Sequence, residues 1–167
     1  MRGWISALVL VLCAVGVAPA CRDKPKKAPR ITPAEAKDLT QRASQCFLQG
    51  DYACAMEGLR KVLKSRPDDA TVLNQFAVAA RLRYYQSGDM DFRDQELEAL
   101  RKAVKLAPKA AHIQVNFGTT AWELGMRKEA AKAYQRALEL HPSHPDAPLI
   151  RDRIKRSTVE VEDEEGQ

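Results

Sequence analysis

A short pattern of turn, small and apolar residues occurs three times in this chain. The first copy begins at Gly50 and closes at Pro67, and the last copy, from Gly125 to Pro142, repeats it 75 residues downstream. A looser copy closes at Pro108, so the closing prolines are 41 and then 34 residues apart. A period near 34 with a helix-turn-helix pattern predicts a helical solenoid. Each helix pair of a solenoid buries its apolar face by stacking on its neighbours, and stacked pairs form a groove, so the pattern favours a binding module.

Composition supports an all-α fold and argues against several functions. The chain has 167 residues, enough for one domain with tails, and only 8 glycines and 9 prolines. Its net charge is +5, but the lysines and arginines are scattered, whereas nucleic-acid binding needs a clustered basic face. No phosphate-binding glycine loop, nucleophile elbow or paired-carboxylate motif is present. We therefore expect neither an enzyme nor a cofactor, and no nucleic-acid partner.

Start and stop signals predict seven helices and their grouping into repeats. The predicted bounds are 33–49, 52–65, 70–86, 93–106, a helix from about 111 to 124, 128–140 and 146–155. They group into repeats at about 34–68, 70–109 and 111–144, with a capping helix at 146–156, inside a domain covering 32–156. The tail at 157–167 is mostly acidic, with Val159 and Val161 as its only apolar residues, and we predict that it is disordered.

The N-terminus has the features of an export signal. Arg2 precedes an apolar run at 5–18 that is too short to span a bilayer, and a small-x-small cleavage site ends at residue 20, which predicts a signal peptide at 1–20. Because Cys21 follows directly, the site resembles the lipobox of bacterial lipoproteins, which implies a lipid on Cys21. Ordinary signal cleavage is the alternative. The basic, proline-containing segment 21–31 would tether the domain to a membrane of the bacterial envelope, facing the periplasm.

The repeats resemble the tetratricopeptide repeat family. In the third copy, Gly118 and Ala130 are small enough for two antiparallel helices to approach, while Phe117 and Tyr134 fill the space between repeats. The remaining matching positions are Asn116, Ala121, Gly125, Ala137, Leu138, Glu139, Leu140 and Pro142. The middle copy departs, because Glu96 stands where a small residue is expected, which leaves the contact between its two helices open.

The resemblance implies a right-handed superhelix whose first helices line a concave, partner-binding face. The expected function is a non-catalytic adaptor that binds a protein or peptide. The candidate groove residues are Lys37, Gln41, Ser44, Phe47, Asn74, Gln75, Arg81, His112, Asn116, Thr119 and Trp122. Trp122 is the strongest candidate, because tryptophan is over-represented in interface hot spots. The alternative is that Trp122 packs against the capping helix through Leu149 or Ile150.

Two cysteines near the first turn could have either a structural role or a redox function. Cys46 and Cys54 flank the Gly50 turn and could form a disulfide in an oxidising compartment, or Cys46 could be a buried core residue. A different function, an envelope thiol-redox or redox-sensing protein, would use the same two cysteines. His141 and His144 offer too few ligands for a closed metal site, so we expect none.

Overall fold

The computed structural model describes the backbone of residues 31–165 and the side chains of residues 31–157. The predicted signal peptide, Cys21 and nearly all of the basic tether lie outside the described residues. Residues 31–165 form seven α-helices and no strand, which confirms the all-α fold class. Their bounds are α1 Pro33–Leu48, α2 Tyr52–Ser65, α3 Ala70–Ser87, α4 Met90–Leu106, α5 Ala111–Glu123, α6 Arg127–Leu140 and α7 Ala147–Glu165.

The helix starts follow from local hydrogen bonding. At α1, the Thr32 hydroxyl accepts from the Glu35 backbone N–H at 3.2 Å, and the Glu35 carboxylate accepts from the Thr32 N–H at 2.6 Å. This is the capping box that the sequence predicts. Asp51 and Asp69 cap α2 and α3 by accepting from backbone N–H groups three residues on.

The helix ends follow from the prolines. Helices α2, α4 and α6 each end two residues before a proline, namely Pro67, Pro108 and Pro142. A residue before proline avoids the α region because its backbone clashes with the proline ring. The turns inside the first and third helix pairs contain Gly50 and Gly125, both with φ of 75°, a conformation that glycine adopts without strain.

The core is built largely from alanines and medium-sized apolar residues between consecutive helices. One buried cluster extends from α1 to Ile113 of α5, and a second joins α5 and α6 to Ile150 of α7. Helix α7 therefore covers the end of the solenoid, as the predicted cap should. Small side chains let the helices approach closely: a Cβ added to Gly118 would lie 2.7 Å from a ring carbon of Tyr134.

The structure corrects two sequence predictions and answers one question that the sequence left open. Helix α4 begins three residues earlier than predicted, at Met90, where Asp89 supplies the cap. The chain from 157 to Glu165 continues α7, although we predicted a disordered tail. Ser157 is still buried at 1% exposure, and glutamate favours helix, so the helix extends beyond its last apolar contact. Helices α3 and α4, whose contact the sequence left open, pack against each other.

Candidate functional site

The first and third helices enclose an open apolar groove. It has a volume of about 340 Å³. Its lining residues are uncharged: Ala43, Ser44, Phe47, Leu48, Ala55, Leu59, Asn74, Gln75 and Val78. Four of them, Ser44, Phe47, Asn74 and Gln75, are residues that we predicted for the groove.

A second depression of about 450 Å³ continues the first along the same two helices. The two share Ser44 and Gln75, so they adjoin, and we call the two depressions together the α1–α3 trough. The second depression contains the predicted residues Lys37 and Gln41 together with Arg66. Arg66 follows α2, so a prediction restricted to the first helix of each repeat could not find it.

The predicted residues of α5 lie elsewhere, and part of their hydrogen-bonding capacity is used internally. Asn116 donates through Nδ2 to the Asn74 side-chain oxygen at 2.8 Å, and Thr119 accepts from the Tyr134 hydroxyl at 3.1 Å. His112 is exposed, and the α1–α3 trough includes neither it nor Asn116. The structure therefore brings together Lys37, Gln41, Ser44, Phe47, Asn74 and Gln75. The predicted residues of α5 lie outside the trough, although Asn116 is hydrogen-bonded to Asn74.

Trp122 is half-buried and contacts the capping helix region. It packs on the cluster that contains Ile150 and Ile154, whereas Leu149 is 49% exposed. The Arg127 guanidinium lies 4.0 Å from the centre of the indole ring, and that of Arg153 lies at 5.8 Å. Trp122 thus has the packing role that was the alternative to partner binding.

Arg81, which we predicted for the groove, is engaged in a largely buried charge network. Its Nε donates to Glu96 Oε1 at 2.5 Å, and a terminal nitrogen donates to the Thr120 hydroxyl at 2.8 Å. Arg93 donates to the other Glu96 oxygen at 2.7 Å and also to Glu123. The Glu96 side chain is fully buried, and those of Arg81 and Arg93 are 12% and 6% exposed.

The network contains two arginines and two glutamates, so its charges balance. The pKa shifts of its members reflect how these charges are paired. Burial raises the pKa of Glu123, but hydrogen bonds from Arg93 and Tyr85 outweigh it, so the pKa of Glu123 lies below the usual value. Burial alone would lower the pKa of Arg93, yet its hydrogen bonds to Glu123 and Glu96 hold that pKa above the usual value. Burial, followed by the hydrogen bond to Glu123, raises the pKa of Tyr85. These shifts leave Glu123 and Arg93 charged and Tyr85 neutral at neutral pH, which fits a structural role.

Sequence reasoning missed this network, although two signals pointed to it. Glu96 occupies a position where the repeat expects a small residue, and α3, with 18 residues, is longer than α1 with 16 and α5 with 13. The last turn of α3 carries Tyr84 and Tyr85, whose rings lie 4.6 and 5.4 Å from the Arg93 guanidinium. The carboxylate thus replaces small-residue packing with ion pairs.

The two candidate cysteines are joined. Cys46 and Cys54 form a disulfide that links the last turn of α1 to the first turn of α2, with their Cα atoms 5.8 Å apart. Neither sulfur is then a free thiolate, which is the form that attacks a substrate or another thiol. This arrangement favours a covalent staple over the thiol-exchange function that was the alternative.

The described part of the chain offers neither a metal site nor a membrane-spanning helix. Within it, no cluster of three or more histidine, cysteine, aspartate or glutamate side chains is placed to hold a metal ion. Among the helices of residues 31–165, none combines the length and apolar character needed to cross a membrane.

Comparison with known proteins supports the repeat assignment. Residues 111–144 match the model of the tetratricopeptide repeat family. The small glutamine-rich tetratricopeptide repeat-containing protein 2 of Mycosarcoma maydis is 26% identical over 111 residues, which is 66% of this chain. The chain spans about 30% of that protein's length.

Solved structures show the same fold. The first TPR of Spaghetti (RPAP3) bound to HSP90 peptide SRMEEVD has a TM-score of 0.65 and 20% identity, with 80% of this chain and 98% of that one covered. The Sgt2 TPR domain from Aspergillus fumigatus has a TM-score of 0.64 and 20% identity, with 84% and 89% covered. The fold is therefore an all-α, tetratricopeptide-like helical solenoid, with its sequence match at the third repeat.

Proposed function

We propose that this protein is a non-catalytic adaptor that holds a peptide segment of a partner protein in the α1–α3 trough. The observation that carries the proposal is the trough itself, which is open, spans two adjoining depressions and has only uncharged residues in the depression next to Phe47. Phe47, Leu48 and Val78 line that part while keeping some exposure to solvent. Burying such apolar surface under a partner is favourable. A structural neighbour of similar fold is bound to an HSP90 peptide.

We further propose that the adaptor works at a membrane of the bacterial cell envelope. The support lies in the sequence before the domain: a predicted signal peptide at 1–20, a candidate lipid acceptor at Cys21 and a basic segment at 21–31 that would serve as a tether. The Cys46–Cys54 disulfide agrees with an oxidising compartment. Lipidation would keep the trough close to the membrane while leaving it free to engage partners.

Site-specific photo-crosslinking tests where the partner binds. A photoreactive amino acid at Ser44, which is exposed in the trough, should crosslink a partner in envelope preparations. The same group at Lys105, exposed on α4, serves as the control. Val78→Asp should abolish the Ser44 crosslink, because a charge would be buried without a counter-ion. Equal crosslinking from both positions, or no effect of Val78→Asp, would refute binding in the trough.

A further inference from the structure

The helix ends of the solenoid form two opposite edges, and the chain enters the domain at one of them. Consecutive helices pack together and are joined by short turns, so they run in opposite directions. The Ile31 backbone N–H donates to the Ser65 hydroxyl at 2.9 Å, and Lys102 pairs with Asp68 at 3.0 Å. These contacts bring the start of α1 and the ends of α2 and α4 together. We call this surface the tether edge and define it as residues 31–32, 64–69 and 105–110.

Exposed cations gather on the tether edge. Lys64 and Lys105 are exposed in the last turns of α2 and α4, where the helix dipole favours positive charge. Arg66 and Lys109 are exposed in the turns that follow these helices. Lys109 lies next to the positive start of α5, so the dipole does not explain its charge. Within the described residues, none of these four cations forms an ion pair.

The carboxylates at the tether edge are already engaged. Asp68 pairs with Lys102, and Asp69 accepts from the Val72 backbone N–H at 3.1 Å as the cap of α3. Glu35, one turn into α1, belongs to the capping box of that helix. The tether edge therefore presents an excess of positive charge that is available to an anionic surface.

The opposite edge is more apolar but has the other charge. Its exposed apolar and acidic side chains include Leu48, Tyr85, Met90, Asp51, Asp89 and Asp91. The acidic residues at 160–165 lie at the far end of α7, which begins on the same side as the tether edge. An anionic bilayer would repel these carboxylates. On the tether edge, by contrast, the 42% exposed Leu106 lies between cations in the chain, a combination that favours the interface of such a bilayer.

The tether is short enough to hold this edge next to the proposed anchor. Residues 22–30 contain five lysines and arginines and one aspartate, and nine residues reach about 30 Å when fully extended. Helix α1, with 16 residues, is about 24 Å long. If Cys21 is the anchor, the opposite edge could reach the membrane only with a nearly extended tether, whereas the tether edge reaches it with a relaxed one.

We propose that the tether edge is a membrane-contact surface that binds the headgroups of anionic phospholipids and orients the domain on the bilayer. Lys64, Arg66, Lys105 and Lys109 lie against the lipid phosphates, and Leu106 enters the interface. So few charges give only weak, salt-sensitive attachment, so the edge orients the domain and the lipid anchors it. This inference rests on the proposed membrane location and not on peptide binding in the trough.

Lipid crosslinking in the full chain compares the two edges. A photoreactive amino acid at Leu106 of the membrane-bound protein should form phospholipid adducts, which mass spectrometry of the modified peptide detects. Met90, 53% exposed on the opposite edge, is the matched control position, and we expect about tenfold fewer lipid adducts there. Equal yields, or a higher yield at Met90, would overturn the inference. Protein adducts at Leu106 in place of lipid would also overturn it, since an acidic protein would then cover the edge.

Vesicles show whether charge is the cause. The lipidated full chain is reconstituted into vesicles of phosphatidylcholine alone or with about one-third phosphatidylglycerol. Because the lipid anchor holds the protein on both kinds of vesicle, only the orientation of the domain should differ. We expect phosphatidylglycerol to raise the Leu106 adduct yield about tenfold, and about 0.5 M salt to reverse this gain. A yield that is the same on both vesicles contradicts the inference.

Protein variants assign the effect to the edge. The edge variant replaces three of its cations by glutamine: Lys64→Gln, Arg66→Gln and Lys109→Gln. The control variant removes the same number of exposed charges from the middles of helices: Arg42→Gln, Lys132→Gln and Arg156→Gln. On anionic vesicles the edge variant should lower the Leu106 adduct yield about tenfold, and the control should change it little. If the edge variant is folded by circular dichroism and keeps the parent's yield, the inference is wrong.

The remaining outcomes separate this inference from the proposed function. If lipid adducts form at Leu106 while the Ser44 crosslink to a partner is absent, peptide binding in the trough fails and the inference stands. If the Ser44 crosslink forms and Leu106 gives no lipid adduct, only the inference fails. If the parent is free of membranes and Leu106 gives no lipid adduct, the proposed membrane location and the inference fail together.

Discussion

Glu96 is the residue through which three helices are held together. Its carboxylate, fully buried on α4, accepts from Arg81 of α3, from Arg93 of its own helix and from Thr120 of α5 at 2.5, 2.7 and 2.6 Å. A buried carboxylate is tolerated when its charge and lone pairs are matched in this way. The cluster is therefore sensitive to loss of any one member.

Glu96→Gln should destabilise the domain by about 3–5 kcal/mol, because it leaves two buried guanidinium groups facing a neutral amide. Urea unfolding followed by circular dichroism measures the change. Glu98→Gln, on the exposed face of the same helix, is the matched control and should stay within about 0.5 kcal/mol of the parent. If the two variants lose similar amounts of unfolding free energy, the buried network stabilises the domain no more than an exposed carboxylate does.

Gly118→Ala should destabilise the domain by about 1 kcal/mol in net terms. Alanine gains about 1 kcal/mol in helix propensity, but its Cβ would lie 2.7 Å from a carbon of the fully buried Tyr134 ring, and overpacking costs about 1–3 kcal/mol. Gly58→Ala is the control, because there the added Cβ meets the Ala43 Cβ at 3.2 Å. We expect Gly58→Ala to be close to neutral, and equal stabilisation by both would contradict the packing argument.

At the scale of elements, the first helix pair is held together by its turn as well as by its core. The disulfide joins the last turn of α1 to the first turn of α2. Gln86, near the end of the lengthened α3, donates from its side chain to the Gly50 carbonyl at 3.1 Å. The C-terminal end of α3 thus supports the hairpin that forms one wall of the trough.

Replacing both Cys46 and Cys54 by serine should lower the free energy of unfolding by about 2–3 kcal/mol, from the entropy of the short closed loop. The residues are separated by 8 positions. Unfolding midpoints with and without dithiothreitol measure the effect: the reductant should lower the parent's midpoint and leave the double variant's unchanged. The reductant can reach the disulfide in the unfolded chain. If it nevertheless leaves the parent's unfolding midpoint unchanged, the disulfide does not stabilise the fold.

At the scale of the whole molecule, each helix rests mainly on the helices next to it in the chain. Such stacking leaves the first repeat exposed on its outer side and the last repeat covered by α7. If the chain is attached through residue 21, the trough of α1 and α3 lies in the repeats nearest the membrane. The proposed anchor would therefore also determine which partners can reach it.

Cys21→Ser should release the protein from the membrane fraction if a lipid on that residue is the anchor. The parent should stay with membranes in 1 M salt, where the Debye length is about 3 Å and attachment through basic residues is screened. Fractionation of parent and variant at low and high salt is the measurement. A parent that is already free of membranes, with a normally processed variant, would show ordinary cleavage after residue 20.

Local signals in the sequence determined most of the element map. The caps at Thr32 and Asp69, the glycine turns and the closing prolines act through residues a few positions apart, so their effect can be derived without a fold. The period of the pattern then indicated stacked helix pairs, and the α1–α3 part of the groove could be anticipated because first helices line the same face.

Only the tertiary structure decided which of the candidate residues are already engaged inside the domain. Arg81 has the same spacing as the groove residues, yet it pairs with Glu96 and Thr120, which lie 15 and 39 positions away. Arg66 enters the trough from a loop, and Trp122 is taken up by packing near α7. These outcomes depend on desolvation and on partners from separate helices. Periodicity along one helix specifies which face a side chain occupies, but not what it meets there.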